Sequence, residues 1–282
     1  MSPIKLHPAS RASFEARANC MNAAYADYMI PLHVDADQIA LMDLLYDVDV
    51  DASVVAEDRG RLVGMALLSR RGERGWISGV GTVPASRRMG IARRMMAALI
   101  GNARALKLGQ ITLEVISDNE KAHCLYRSVG FIDTRELLTW SLPADADALP
   151  IPQELLHEVK PEAPFAHFEA WHREPPSWQR ERETLLRMLG HARAYALELD
   201  GNPAAYVIVS SRSDSVSILD DGTNTEMGVA RTGRPLLQAL SRLHPGQAMR
   251  ILNVPADDPL SRVLAALRFH VTVRQWEMLL PL

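Results

Sequence analysis

Cysteine is nearly absent from this chain: Cys20 and Cys124 are the two in 282 residues. Two isolated thiols exclude a disulfide framework and a thiolate-rich metal site, and they suit a reducing compartment. No stretch approaches the ~18 consecutive apolar residues that a membrane span requires, and the N-terminal segment lacks a signal-peptide core. A soluble, cytoplasmic protein with no membrane partner is predicted. A dominant charge is missing too. Lys plus Arg number 31 against 34 Asp plus Glu, a net charge of −3, so no global field holds a polyanion and no nucleic-acid partner is expected. The nine histidines show no zinc spacing. His167 and His172 stand five apart and would diverge on a helix, so no metal is expected.

Apolar material is ample, with 48% hydrophobic and 23% charged residues, and the length favours two domains of ~150 residues. Runs at 53–58 and 62–69 flank Arg59-Gly60-Arg61 and predict a hairpin. The next strand, 76–83 (WISGVGTV), is ended by Pro84. Beyond it Ile91, Met95, Leu99, Ala103 and Leu106 recur at helical spacing, predicting a helix over 88–108 stopped by Gly109. A strand at 111–116, a helix at 119–128 and a strand at 131–142 follow; amphipathic helices at 10–26 and 35–46 come first. The proline-rich segment 143–152 predicts a linker between domains 1–142 and 153–282. Gly201 follows Gly60 at an offset of 141 in similar surroundings, and Phe269 follows Phe131 at 138. Two nearly equal offsets predict tandem copies of one fold.

The most informative segment is Thr82-Val-Pro-Ala-Ser-Arg-Arg-Met-Gly-Ile-Ala92, running from a strand end through a glycine turn into a helix. Unpaired N–H groups and the positive dipole end of a helix start favour phosphate. Gly90 admits close backbone approach, Ala92 keeps that approach open, and Arg87, Arg88, Arg93 and Arg94 add charge. An ordinary loop before a solvated basic helix face has the same composition. Together with Leu113-Glu-Val-Ile-Ser-Asp-Asn-Glu-Lys-Ala122, Leu125-Tyr126 and Gly130-Phe131, however, this segment resembles the Gcn5-related N-acetyltransferase (GNAT) superfamily. The resemblance is clear over 53–142, loose in the first helices and degraded in the second half.

The resemblance implies an α/β (α+β) fold in two tandem copies, each a mixed, twisted sheet flanked by helices, whose splayed fourth and fifth strands hold acetyl-CoA. Gly79 and Gly81 suit a bulge there. Thr82 and Val83 would present backbone groups to pantetheine, with an oxyanion donor near Val83, and Arg87, Arg88, Met89, Gly90, Ile91 and Ala92 would surround the pyrophosphate. Asn119 is an N-cap by position and, by resemblance, also bonds the cofactor arm. Tyr126, two turns further along the same face, is by resemblance the acid toward the departing thiolate; packing under Phe131 is its structural role otherwise.

Glu114 is the first candidate base, with strand alternation leaving open which way it faces, and the terminal carboxylate of Leu282 is a second. Tyr25, Tyr28, Met29 and Trp76 would line the acceptor cleft. Asp47, Asp49 and Asp51 form a solvated acidic turn or draw in a cationic amine, and Cys124 reads as a small buried residue. At the offset of 138, Tyr126 falls on Leu264, Asn119 on Asp257 and Gly130 on Arg268, so the second copy is degenerate. The expected activity is acetyl-CoA-dependent N-acetylation of a small-molecule or peptide amine, by direct transfer in a ternary complex. The alternatives are a non-catalytic acyl-CoA-binding or regulatory module, and a transferase using another acyl-CoA or a hydroxyl acceptor.

Overall fold

The computed structural model describes residues 4–30, 32–146, 149 and 156–282. It divides into two units, Met1–Thr134 with Trp276–Leu282, and Arg135–Gln275. Unit 1 contains β1 (Lys5–Pro8), α1 (Phe14–Ala24), α2 (Ala36–Tyr46), β2 (Val54–Asp58), β3 (Arg61–Arg71), β4 (Arg74–Thr82), α3 (Ile91–Ala105), β5 (Gln110–Ile116) and α4 (Glu120–Ser128). β6 (Ile132–Leu142) leads into unit 2. There follow β7 (Leu156–Val159), α5 (Phe168–Trp171), α6 (Arg182–Met188), β8 (Arg193–Leu199), β9 (Asn202–Ser211), β10 (Ser215–Thr223), α7 (Val229–Leu243), β11 (Ala248–Pro255), α8 (Pro259–Ala266) and β12 (His270–Pro281).

In unit 1 the strand order is β1-β2-β3-β4-β5-β12-β6. β1 to β4 pair antiparallel and β4 pairs β5 in parallel, giving a mixed sheet. Capping explains where its first helices begin: Ser13 accepts from Ala16 N–H at 3.1 Å, and Asp35 with Gln38 forms a capping box. The β2–β3 hairpin turns through Arg59 and Gly60, with φ of 48° and 79°, the left-handed pair that a two-residue loop needs. On α3, Ile91, Met95, Leu99 and Ala103 are buried against Ile111, Leu113, Val115 and Phe131. The helix begins three residues later than its periodicity predicts, because Arg88 and Gly90 have φ of 64° and 74°. β1 has no counterpart among the sequence-predicted strands, being four residues long and closed by Pro8.

In unit 2 the order is β12-β6-β11-β10-β9-β8-β7. Its β8–β9 hairpin turns at Asp200 and Gly201, with φ of 53° and 74°. β10 pairs β11 in parallel from Ser215↔Ala248 to Ile218↔Ile251, and the β9–β10 register shifts so that Leu219 is skipped. Leu236, Leu237 and Leu240 of α7 pack with Leu260 and Leu264 of α8 in its core.

The units part company with the expected boundaries at 142 and 153. β6 changes unit after Thr134 and β12 after Gln275. Burial is the reason: Met278 and Leu280 fill the core of unit 1, whereas Leu138 and Trp140 fill that of unit 2. Of the expected linker, residues 147, 148 and 150–152 lie outside the described residues.

Candidate active site

β4 and β5 pair over only four residues, Arg74↔Gln110 to Ile77↔Leu113, although β4 continues to Thr82 and β5 to Ile116. Past that point they form a fork. Ser78 is the cause, since the β3–β4 register skips it between Leu68↔Ile77 and Leu67↔Gly79, and such an extra residue bends and twists its strand. Gly81 lets the end of α1 close on β4, because a Cβ there would meet the Ala24 Cβ at 2.9 Å and the Tyr25 ring at 3.0 Å.

Hydroxyls of Ser78, Thr82 and Ser117, on both arms of the fork, are buried with no hydrogen-bond partner among the described residues. Each orphan costs ~1–3 kcal/mol unless a ligand or water satisfies it. Ser78 and Ser117 were not among the predicted site residues and Thr82 was expected to act through its backbone alone; the signal was the hydroxyls at 78 and 82 bracketing the glycines of WISGVGT.

Tyrosines gather on the fork. The Tyr25 hydroxyl donates to the Val80 carbonyl at 3.1 Å, and its ring meets Tyr28 edge-on at 4.9 Å and 78°. Tyr126 is buried, tilted against Phe131 at 6.2 Å. Burial, then Tyr25 and Tyr28, push its phenol well above the ordinary range, so it remains protonated. Among the described residues its hydroxyl has no hydrogen bond, unlike that of Tyr25. Burial also raises Tyr28, opposed by a hydrogen bond from the Asn119 amide. Asn119 is at the same time the N-cap of α4, accepting from Ala122 N–H at 3.2 Å. Asn119 thus caps α4 and bonds Tyr28 at once.

Glu114 is the first residue of β5 beyond the last β4 pair. Leu113 and Val115 turn into the α3 core, so alternation puts Glu114 on the opposite face. There it is half-buried and accepts from the Trp76 indole N–H at 2.7 Å. Trp76 packs edge-on against Tyr46 at 5.6 Å, and burial followed by the Glu114 charge raises the Tyr46 phenol. Tyr46 was not among the predicted site residues. Met29 is exposed between α1 and α2. Leu282 donates its N–H to the Gly109 carbonyl at 3.1 Å, before β5 begins and at the end opposite the fork, which removes it as a candidate base.

The loop after β4 needs three corrections. Val83 N–H donates to the Val63 carbonyl at 2.9 Å, so it is no oxyanion donor. Arg87 is not a free cation: it donates to the Thr82 carbonyl at 3.0 Å, the Ala24 carbonyl at 2.9 Å and the Asp27 carboxylate at 2.6 and 2.7 Å. Ile91 buries its side chain, leaving its main chain to contribute. The N–H groups of 88–93 have no acceptor among the described residues, the first bond of the helix being that from Arg94 N–H to the Gly90 carbonyl at 3.1 Å. Gly90 is needed for its φ of 74°, with open space where a Cβ would be. Arg88 and Met89 are exposed beside it and Ala92 is half-buried, while Arg93 reaches Ser128 and Arg94 the Ile4 carbonyl.

The acidic turn is structural. Asp47 holds Arg71 at 2.7 Å, and Asp49 pairs with Arg70 at 3.3 Å and accepts from Ala52 N–H. Cys124 is exposed, not buried, because it lies some 200° around α4 from Tyr126. Cys20 is the buried cysteine, its thiol pushed up to about 11 by burial.

In unit 2, past the last β10–β11 pair, Arg180 hydrogen-bonds Asp220 at 3.0 Å and Asp221 at 2.7 Å. Tyr206 donates to Asp220 at 2.9 Å. His172 contacts Asp220 through Nε2 and the Phe168 carbonyl through Nδ1, so both ring nitrogens carry protons. Beside this cluster lies a cavity of about 40 Å³ lined in part by Arg180, Thr223, Asn253 and Asp258.

Residues 19–131 match the model of the Acetyltransferase (GNAT) family. Over 82 residues the chain is 42% identical to the N-alpha-acetyltransferase RimI of Mycobacterium tuberculosis, covering 28% of this chain and 50% of that protein. The chain thus spans about half the length of the curated relative it matches. A GCN5-related N-acetyltransferase from Sphaerobacter thermophilus shares the fold at a TM-score of 0.76 and 13% identity, over 100% of this chain and 96% of that one. A tandem GNAT protein from the clavulanic acid biosynthesis pathway does so at 0.70 and 19%, over 99% and 98%. The fold shared with these structures is a mixed α/β architecture. The matched segment is similar to that family, and all the predicted site residues lie in unit 1. No described helix is long and apolar enough to cross a membrane.

Proposed function

We propose that unit 1 transfers an acetyl group from acetyl-CoA to a primary amine within a ternary complex. The observation that carries this reading is the fork: two parallel strands that part at Ile77 and Leu113, lined by unsatisfied hydroxyls. An extended pantetheine arm fits such a site because it adds to a strand edge through amide hydrogen bonds. Ser78, Thr82, Ser117 and Asn119 supply polar partners on the way. The amides of 88–93, with Arg88 as the uncommitted cation, take the pyrophosphate.

Acetyl-CoA supplies the activated thioester. Glu114, held by Trp76, removes a proton from the attacking amine directly or through water, as the nitrogen–carbon bond forms and the carbon–sulfur bond breaks. The Tyr126 phenol donates to the departing sulfur. Its raised pKa favours hydrogen bonding over early proton loss, and the thiol takes the proton as the sulfur leaves. Tyr25, Tyr28, Met29 and Trp76 border the acceptor. The RimI relative is an N-alpha-acetyltransferase, which makes a peptide N-terminus the first acceptor to try. Unit 2 is read as a degenerate second copy, on the strength of its matching hairpin, bulge and strand pairing.

The test is thiol release from acetyl-CoA across peptide and small-molecule amines, comparing the natural protein with Tyr126→Phe. Release lowered ~10²-fold by that change supports the reading. Tight coenzyme A binding without release across the panel replaces it with a non-catalytic binding module, and release untouched by Tyr126→Phe removes the assigned donor.

A further inference from the structure

We propose that Arg87 is a positioning residue that ties the loop after β4 to the tyrosine wall, so that the two are ordered together. One guanidinium joins three pieces of chain: the Thr82 carbonyl at the end of β4, the Ala24 carbonyl at the end of α1, and the Asp27 carboxylate in the turn after α1. The hydrogen bond from Arg87, opposed by slight desolvation, holds Asp27 below the usual carboxylate range, so the carboxylate is ionised at neutral pH.

An exposed ion pair alone contributes little. Here the planar fork bonds both carboxylate oxygens while its remaining donors fix two carbonyls, and that geometry specifies a conformation beyond its energy. Lysine cannot span the same four acceptors from one nitrogen.

What the latch holds is the acceptor side of the fork. Tyr25 sits between Ala24 and Asp27, with its hydroxyl on the Val80 carbonyl. Tyr28 comes next, its N–H on the Tyr25 carbonyl at 3.0 Å and its phenol at Asn119. A ligand that orders the loop therefore orders this turn, and the coupling is reciprocal. The inference rests on the loop being the coenzyme A site, and it assigns Arg87 away from the phosphates.

The experiment uses the full chain with coenzyme A as probe, pairing calorimetry with hydrogen exchange over residues 20–30. Coenzyme A is expected to slow exchange there in the natural protein. Asp27→Asn and Arg87→Lys should bind coenzyme A within about threefold of the natural protein, the scale of a weak ion pair. They should also raise exchange of the segment roughly tenfold and abolish its response to ligand. Tighter coenzyme A binding in Asp27→Asn with weaker binding in Arg87→Ala would make Arg87 a phosphate cation and overturn the proposal. Unchanged exchange in the variants would also overturn it. Failure of the natural protein to bind coenzyme A would sink the cofactor reading instead, and the latch would then stand or fall on variant exchange without ligand.

Discussion

The fork between β4 and β5 and that between β10 and β11 have the same backbone: four parallel pairs, one skipped residue, then divergence. Their linings are opposite. In unit 1 the hydroxyls of Ser78, Thr82 and Ser117 lack partners, and glycine occupies 79 and 81. In unit 2 Asp220 and Asp221 follow the skipped Leu219, bonded to Arg180, His172 and Tyr206. Tyr206 lies so close over Gly222 that a Cβ there would be 2.2 Å from its ring. The same local backbone can thus leave its lining unsatisfied in one unit and satisfied by its own side chains in the other. Of the unit 2 cluster, Arg180 Nε alone lacks a partner among the described residues.

Removing the cation from the closed fork has the largest expected effect. Arg180→Met leaves two buried carboxylates without their partner and should cost ~3–5 kcal/mol in denaturant unfolding. The loss should shrink as pH falls and Asp221, whose carboxyl is raised by burial, protonates. In the open fork, Glu114→Gln should lower turnover by ~10²–10³-fold with coenzyme A affinity held, as calorimetry would show. Leu264→Tyr, placing a phenol in unit 2, should restore nothing to Tyr126→Phe; recovered thiol release would erase the proposed division between the copies.

Gly90→Ala forces a side chain into a left-handed conformation and should cost ~1–2 kcal/mol. Expressed as coenzyme A affinity, that is roughly 5–30-fold weaker binding. The smallest effect concerns pH. Burial lowers the basicity of His172, but the Asp220 charge and hydrogen bond and the Phe168 carbonyl outweigh it, so its folded value is above 6.5. That contribution is complete below pH 6.5 and lost as pH rises through the folded value. Unfolding midpoints should drift down over that window, and His172→Gln should flatten the drift.

Local features were legible in the chain itself: the Arg59-Gly60 hairpin, the α3 periodicity, the Asn119 cap and the closeness of the two offsets. Long-range partnership was not. Arg87 looked like a free cation because Asp27 lies 60 positions away, and no periodicity connects them. Cys124 looked buried because a free cysteine usually behaves as a small buried residue, whereas its helical angle turns it outward. The domain boundary was misplaced because proline marks a loop, while membership of a core depends on where Leu138 and Met278 are buried. Orphan hydroxyls such as Ser78 become visible only once the strands around them are known to diverge.

The course of β12 bears on how the protein is made. Trp276–Leu282 belongs to the same unit as Met1–Thr134, so that unit's sheet is completed by residues synthesised only after the whole of Arg135–Gln275. On a ribosome, residues 1–134 would emerge with the Met278 and Leu280 sites in their core unfilled, and the closing contacts would have high sequence separation, a trait of slow folding. Dissection meets the same limit: a fragment cut in the proline-rich segment carries every proposed catalytic residue yet lacks a strand of its own sheet.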